Sequence, residues 1–120
     1  MAATTETVTS TGVLQGLSLM YGSWTADSTK GDHVITAPRH AAVVVVIADS
    51  GGTNPNILIK HISETDESIL ITGSTGVITS PADSAGITVT NAATGECTID
   101  VDSTSLVNSG TNQWFAIAKA

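Results

Sequence analysis

One stretch constrains the fold of this chain more than any other: residues 40–48, which read His-Ala-Ala-Val-Val-Val-Val-Ile-Ala. Five consecutive β-branched side chains favour a strand, because branching at Cβ stiffens χ1 and disfavours a helix. Successive residues of a strand point to opposite faces of the sheet, so an unbroken apolar run needs cover on both faces. The sequence therefore predicts that this segment is a central strand, covered on both sides.

Other segments alternate between apolar and polar side chains, which is typical of strands with one buried face. Residues 96–102 alternate most regularly, and residues 17–22 follow the same pattern with Leu17, Leu19 and Tyr21 on one face. Further strands are predicted at residues 33–36, 57–62, 68–72, 87–90 and 113–118. Eight or nine short strands separated by turn signals predict an all-β fold, a single antiparallel β-sandwich of the jelly-roll or Ig-like type.

We expect one domain preceded by an N-terminal arm, since 120 residues suffice to bury one core. Residues 1–12 are rich in Thr, Ser and Ala and weakly patterned. They form either a frayed terminus or an arm that becomes ordered against a neighbouring subunit. Residues 13–120 form the β-sandwich domain, with a loop at residues 49–56 and a hairpin turn at residues 91–95, whose Gly95 supplies a positive φ.

The charge composition argues against two classes of partner. Charged residues make up 12% of the chain, and eleven Asp/Glu against four Lys/Arg give a formal net charge of −7. Proteins that bind nucleic acid need a basic surface for the phosphates, and anionic membranes attract basic segments. We therefore expect neither nucleic-acid nor membrane binding.

No segment has the pattern of a targeting or membrane-spanning sequence. The first residues lack a basic region followed by an apolar core. The longest apolar run, Ala41–Ala48, is far shorter than the roughly 20 residues that cross a bilayer. We expect the protein to be made in a cytoplasm and to stay or be assembled there.

Two acids on one predicted strand face are a candidate cation site. Asp100 and Asp102 lie roughly 6–7 Å apart along the strand, and with Glu96 they could offer oxygen ligands to Ca²⁺. No Asp-x-Asp-x-Asp-Gly loop is present, so a solvated strand face is the favoured interpretation. Paired acids also hydrolyse glycosides, but none of the four aromatic residues lies beside these two.

The remaining candidates for chemistry follow no catalytic or metal-binding pattern. His33, His40 and His61 have no metal-ligand spacing, and we expect them at strand edges or in interfaces. Residues 49–52 match neither a nucleophile nor a phosphate-binding motif, and Cys97 is expected to be a buried small apolar residue. We therefore expect no enzyme activity, no cofactor and no bound metal.

The large aromatic side chains have two interpretations. Trp24, Trp114 and Phe115 either pack in the core or act as anchors in an interface, since aromatic residues dominate binding hot spots. The sequence leaves both open.

One part of the chain resembles a known class of protein. Residues 87–101, Ile-Thr-Val-Thr-Asn-Ala-Ala-Thr-Gly-Glu-Cys-Thr-Ile-Asp-Val, with Gly110 and Trp114-Phe115 after them, resemble the hairpin and final strand of small β-sandwich modules in tailed-phage structural proteins. The Thr- and Ala-rich start and the few lysines are also similar to phage capsid decoration, or cement, proteins. This resemblance implies a jelly-roll or related β fold and a trimer on the capsid lattice.

The function that the resemblance implies is a virion structural protein. As a decoration protein it would bind the major capsid protein or other virion proteins and stabilise the capsid through symmetric interfaces. Surfaces rich in Ser and Thr fit this role, because they lose less side-chain entropy on binding than surfaces rich in Lys and Glu. The alternative is a carbohydrate- or receptor-binding β-sandwich module of a phage fibre or baseplate, which requires exposed aromatic side chains in a concave patch.

Overall fold

The computed structural model describes residues 4–7, 11–14, 17–25, 32–49, 52–63, 65–102 and 110–118. In this part of the chain the backbone forms strands and one short 3-10 helix, so the protein is all-β, as predicted. The strands are β1 Thr4–Thr7, β2 Thr11–Leu14, β3 Leu17–Thr25, β4 His33–Ala37, β5 Ala41–Ala48, β6 Asn56–His61, β7 Ile69–Ile71, β8 Ile78–Thr79, β9 Ile87–Asn91, β10 Cys97–Val101 and β11 Thr111–Ala118, and the 3-10 helix is Asp83–Ala85.

Two sheets pack face to face as a β-sandwich, which confirms the predicted fold class. The larger sheet has the strand order β2-β3-β11-β5-β6-β7-β8, and all its neighbouring pairs are antiparallel. The smaller sheet has the order β1-β4-β10-β9, in which β1 runs parallel to β4 and the other pairs are antiparallel. Strand β5 lies between β11 and β6, so its predicted central position is confirmed.

The core lies between the two sheets and is almost entirely aliphatic. Its largest fully buried apolar side chains are Trp114, Met20, Ile35, Leu58, Ile87, Ile99, Val44, Val46 and Val101. Trp114 is paired across β3 with Gly22 and across β5 with Val46. Because Gly22 has no side chain, this position leaves space for the indole on the inner face. Burial of each large apolar side chain stabilises the fold by about 1.5–3 kcal/mol.

Two predictions about buried faces need correction. In β3 the buried residue is Met20, whereas Leu19 and Tyr21 are 38% and 48% exposed. The reason is the pairing with β11, which aligns Met20 with the buried Ala116 and so turns its neighbours away from the core. In β5 the smaller sheet covers only one face. Val45 and the other outward-facing residues of β5 are half-buried, whereas the prediction required cover on both faces.

Other local predictions have mixed outcomes. The hairpin turn between β9 and β10 is confirmed, since Gly95 has a φ of 96° and its N–H donates to the carbonyl of Ala92. Strand β8 was not predicted, because its two residues lie among turn-forming residues. At the N-terminus, β1 pairs with β4 of the same chain, and the division proposed between residues 12 and 13 falls inside β2.

A buried ion pair joins the larger sheet to the segment that enters the smaller one. Lys60 on β6 is 4% exposed, and its Nζ donates to both carboxylate oxygens of Asp83, at 3.0 and 2.8 Å, and to the carbonyl of Glu67 at 3.0 Å. The hydroxyl of Ser68 donates to Asp83 and accepts from the N–H of Ile87, the first residue of β9. These bonds hold the 3-10 helix and the start of β9 against β6 and β7.

This ion pair yields a stability prediction. We expect Asp83→Ala to lower the free energy of unfolding by about 1–3 kcal/mol, because it removes the carboxylate that accepts from the buried Lys60 ammonium and from the Ser68 hydroxyl. The control is Glu67→Ala, which removes a neighbouring acid that is exposed and bonds Lys60 only through its main chain. We expect that control to stay within about 0.5 kcal/mol of the native protein in urea unfolding. Equal effects of the two changes would show that the ion pair does not stabilise the fold.

Candidate interaction surface

The outer face of the larger sheet is apolar across six strands, and we call it the open face. Its central row, set by the strand register, is Tyr21, Phe115, Val45, Ile59 and Ile69. The rows on either side add Leu19, Ile117 and Val43, and Ile47, Ile57, Ile71 and Ile78. Each of these side chains is half-buried or exposed.

The open face is large and carries almost no polar group. Its twelve side chains each occupy about 4.8 Å between strands by 6.8 Å along them, which gives roughly 400 Å² in projection. Ser23, Gln113, His61 and Glu67 lie at its margins, and the register places no Asp, Glu, Lys or Arg among the twelve. An apolar patch of this size lies within the range for the largest patch of a monomer, about 300–600 Å², and such patches are often functional.

The outer face of the smaller sheet provides a comparison within the same molecule. There the register aligns Thr36, Thr98 and Thr90 in one row, and Val34, Asp100 and Thr88 in the next. The four threonines are exposed, and Asp100 adds a carboxylate. The two outer faces therefore differ in composition, one apolar and the other polar.

The three predicted interface anchors take different positions. Trp114 is 2% exposed and packs in the core, on the inner face of β11. Trp24 is half-buried against the core, and its indole stacks on the His33 ring with 4.0 Å between the centroids and 11° between the planes. Phe115 lies on the open face, paired with Tyr21 on β3 and Val45 on β5. Of the three, Phe115 is therefore placed to contact a partner through this face.

Sequence analysis missed most of the open face. The second apolar side of β6 and β7, with Ile57, Ile59, Ile69 and Ile71, becomes one surface only through the register of the strands. A signal was present, because residues 57–59 and 69–71 are unbroken apolar runs, like the longer run in β5. Each run predicts apolar side chains on both faces of its strand.

The candidate cation site is an acidic group at the end of β10. The protonated carboxyl of Asp100 donates a hydrogen bond to Asp32, and Asp102 is close enough to interact with Asp100 electrostatically. Burial, the hydrogen bond with Asp32 and the nearby charges raise the pKa of Asp100 to about 6. Glu96 lies at the opposite end of the strand, and the described residues contain no group of three metal-binding side chains.

The other candidate residues have structural positions. His33 is buried against Trp24, which corrects the expectation of a strand edge, while His40 Nε2 lies 2.6 Å from the carbonyl oxygen of Ala92. His61 contacts the hydroxyl of Ser63 at 2.6 Å. Cys97 is buried as predicted, and burial raises the pKa of its thiol. In the predicted loop, Asp49 and residues 52–54 lie in turns and bends, while Asn56 begins β6. The side chain of Asn112 accepts from the N–H of Asp49 at 2.8 Å.

Comparisons with known proteins leave the open face as the main functional indication. No protein-family model, curated protein or solved structure matches this chain. Across the described ranges, the one helix is a three-residue turn, and no helix has the length and hydropathy needed to cross a membrane. A functional interpretation therefore starts from the composition and geometry of the sheet surface.

The raised pKa of Asp100 gives a prediction for stability against pH. Its folded pKa of about 6 lies above the ordinary value of 3.8, so the folded state binds the proton more tightly than the unfolded state. Stability should therefore fall as the pH rises from about 4 to 6 and should level off above that. We expect Asp100→Asn to reduce this fall and to raise stability at pH 7 by about 1 kcal/mol, allowing for solvent screening.

Thermal unfolding at a series of pH values measures this effect. Glu96→Gln is the matched control, because it removes one exposed acid from the turn that leads into the same strand. The control should keep the native dependence on pH. An Asp100→Asn variant with the native pH dependence would contradict the proposed repulsion among these acids.

Proposed function

We propose that this chain is a structural protein that works by assembly, as a capsid decoration protein of a tailed phage. The observation that carries the proposal is the open face, an uncharged apolar surface on the outside of the larger sheet. Apolar surface in water costs about 25 cal/mol per Å², and packing against another protein removes that cost. A part that functions within a larger assembly therefore gains stability from such a face.

The mechanism of a decoration protein is mass action. A protein that binds only the assembled capsid, and not its separated subunits, shifts the equilibrium towards the assembled state. It needs a rigid scaffold, an interface and no chemical step. The sandwich core and the buried Lys60–Asp83 pair would supply the rigid scaffold.

The segment that carries the resemblance to phage proteins is a hairpin in the structure. The resembling segment, residues 87–101, forms the β9–β10 hairpin in which Gly95 takes the positive φ that the turn requires. This hairpin forms one side of the smaller sheet and presents the exposed threonines Thr88, Thr90 and Thr98. These short polar side chains, which lose little entropy on binding, would suit a contact with the capsid.

A second candidate function has one observation in its favour. Tyr21 and Phe115 are cross-strand neighbours on the open face, and Tyr21 is exposed. Adjacent aromatic rings at a surface can stack on a sugar, as a carbohydrate-binding module of a fibre or baseplate requires. Binding on a glycan array that is lost in Tyr21→Ala would favour this alternative.

The decoration proposal is tested on particles. Particles of the phage that encodes the chain are prepared with the gene intact and with the gene deleted, then heated in steps or treated with a chelator. We expect the deleted particles to lose their DNA at a lower temperature, because the mass-action stabilisation is absent. Addition of the purified protein should restore the native resistance, and negative-stain microscopy counts the intact heads.

A matched addition tests whether the effect is specific. Protein that has been thermally unfolded before addition should restore nothing. Equal survival of native and deleted particles, without binding of the purified protein to deleted heads in co-sedimentation, would exclude a decoration role.

A further inference from the structure

Among the described residues, no element covers the open face. The smaller sheet packs on the opposite side of the larger one, against the inner residues of β5 and its neighbours. The side chains of the open face keep part of their surface exposed, and Tyr21 and Ile78 are 48% and 67% exposed. An apolar surface left open in this way favours a protein as its cover.

The charge distribution favours a second copy as the cover. The chain has a formal net charge of −7, so two copies repel each other when their acidic surfaces meet. The open face contains none of those acids, while the outer face of the smaller sheet carries Asp100 on the far side of the molecule. Two copies can therefore bring their open faces together with no carboxylate among the twelve apolar side chains, while Glu67 stays at the margin.

The size and shape of the face also suit a pair of identical chains. Stable interfaces bury about 600–1,000 Å² on each partner. The accessible area of the open face exceeds its projected area of roughly 400 Å², because the side chains stand out from the sheet, and this brings it towards that range. Twisted sheets pack face to face about 10 Å apart with their strands roughly aligned, and interfaces between identical chains are more apolar than others.

From these observations we propose that the open face binds the open face of a second copy, in a twofold dimer built as a sheet-on-sheet contact. A twofold contact uses the same surface on both chains. Val45 lies at the centre of the middle row, so the two Val45 side chains would lie near the axis. Phe115 and Tyr21 on one side, and Ile59 and Ile69 on the other, would complete the dry centre.

This inference rests on the proposed function only in treating the open face as a protein interface. It differs from the trimer that the phage resemblance implies, because a surface that pairs with itself closes after two copies. The dimer would be the unit that binds the capsid, through the polar surfaces that stay outside.

The experiment measures the mass of the purified full chain by sedimentation velocity and light scattering over a concentration series of about 1–100 µM. We expect twice the mass of one chain at the upper end. Val45→Lys should weaken the dimer by roughly a hundredfold or more, because two unpaired ammonium groups would be buried near the axis. Thr98→Lys, the matched change on the outer face of the smaller sheet, should leave the dimer intact.

Further variants keep the test decisive if Val45→Lys fails to fold, which circular dichroism would show. Tyr21→Lys and Ile59→Lys change side chains on the same face on either side of Val45, and Tyr21 is already half exposed. A native chain that is monomeric or trimeric at the highest concentration would overturn the proposal. So would folded open-face variants that remain dimeric. A dimer that adds no stability to particles would instead reject the decoration role and leave this inference standing.

Discussion

The pairing of β5 with β11 on one side and with β6 on the other is the interaction on which the rest of the structure depends. The register of these three strands aligns Val44 and Val46 towards the smaller sheet and Val45 away from it. Since every strand turns alternate residues to opposite faces, the unbroken apolar runs generate two apolar surfaces at once. One becomes the core, and the other becomes the open face.

The outer faces of the two sheets differ in polarity, and only the larger sheet has an apolar outer face. The smaller sheet has a polar outer face with aligned threonines, as expected for a surface in water. In the larger sheet, Lys60 is buried on the inner side, where Asp83 neutralises it. The twelve side chains of the open face carry no charge, so the ion pair can stabilise the core while the open face stays apolar.

The sequence was informative where side-chain pattern alone determines structure. The β-branched run of β5, the alternation of β10 and the turn at Gly95 were predicted correctly, because each depends on local chemistry. The prediction for the buried face of β3 was wrong. Leu19 and Tyr21 are more apolar than Gly22, but the pairing of β3 with β11 turns them outwards. The open face was missed for a related reason, since its rows join residues that the chain separates by tens of positions.

The position of β11 inside the larger sheet, beside the central strand β5, has a consequence for how the chain folds. β5 pairs with β11 across more than sixty residues of sequence, so the central strand waits for the last strand to be synthesised. During translation, at about 5–20 residues per second, β5 can pair only with β6 and exposes its other backbone edge for several seconds. Pairings between residues so distant in sequence also slow folding after release. The unpaired backbone edge of the apolar strand β5 is then available to neighbouring nascent chains. The distance in sequence between β5 and β11 therefore predicts slow folding, with one edge of β5 exposed until β11 pairs with it.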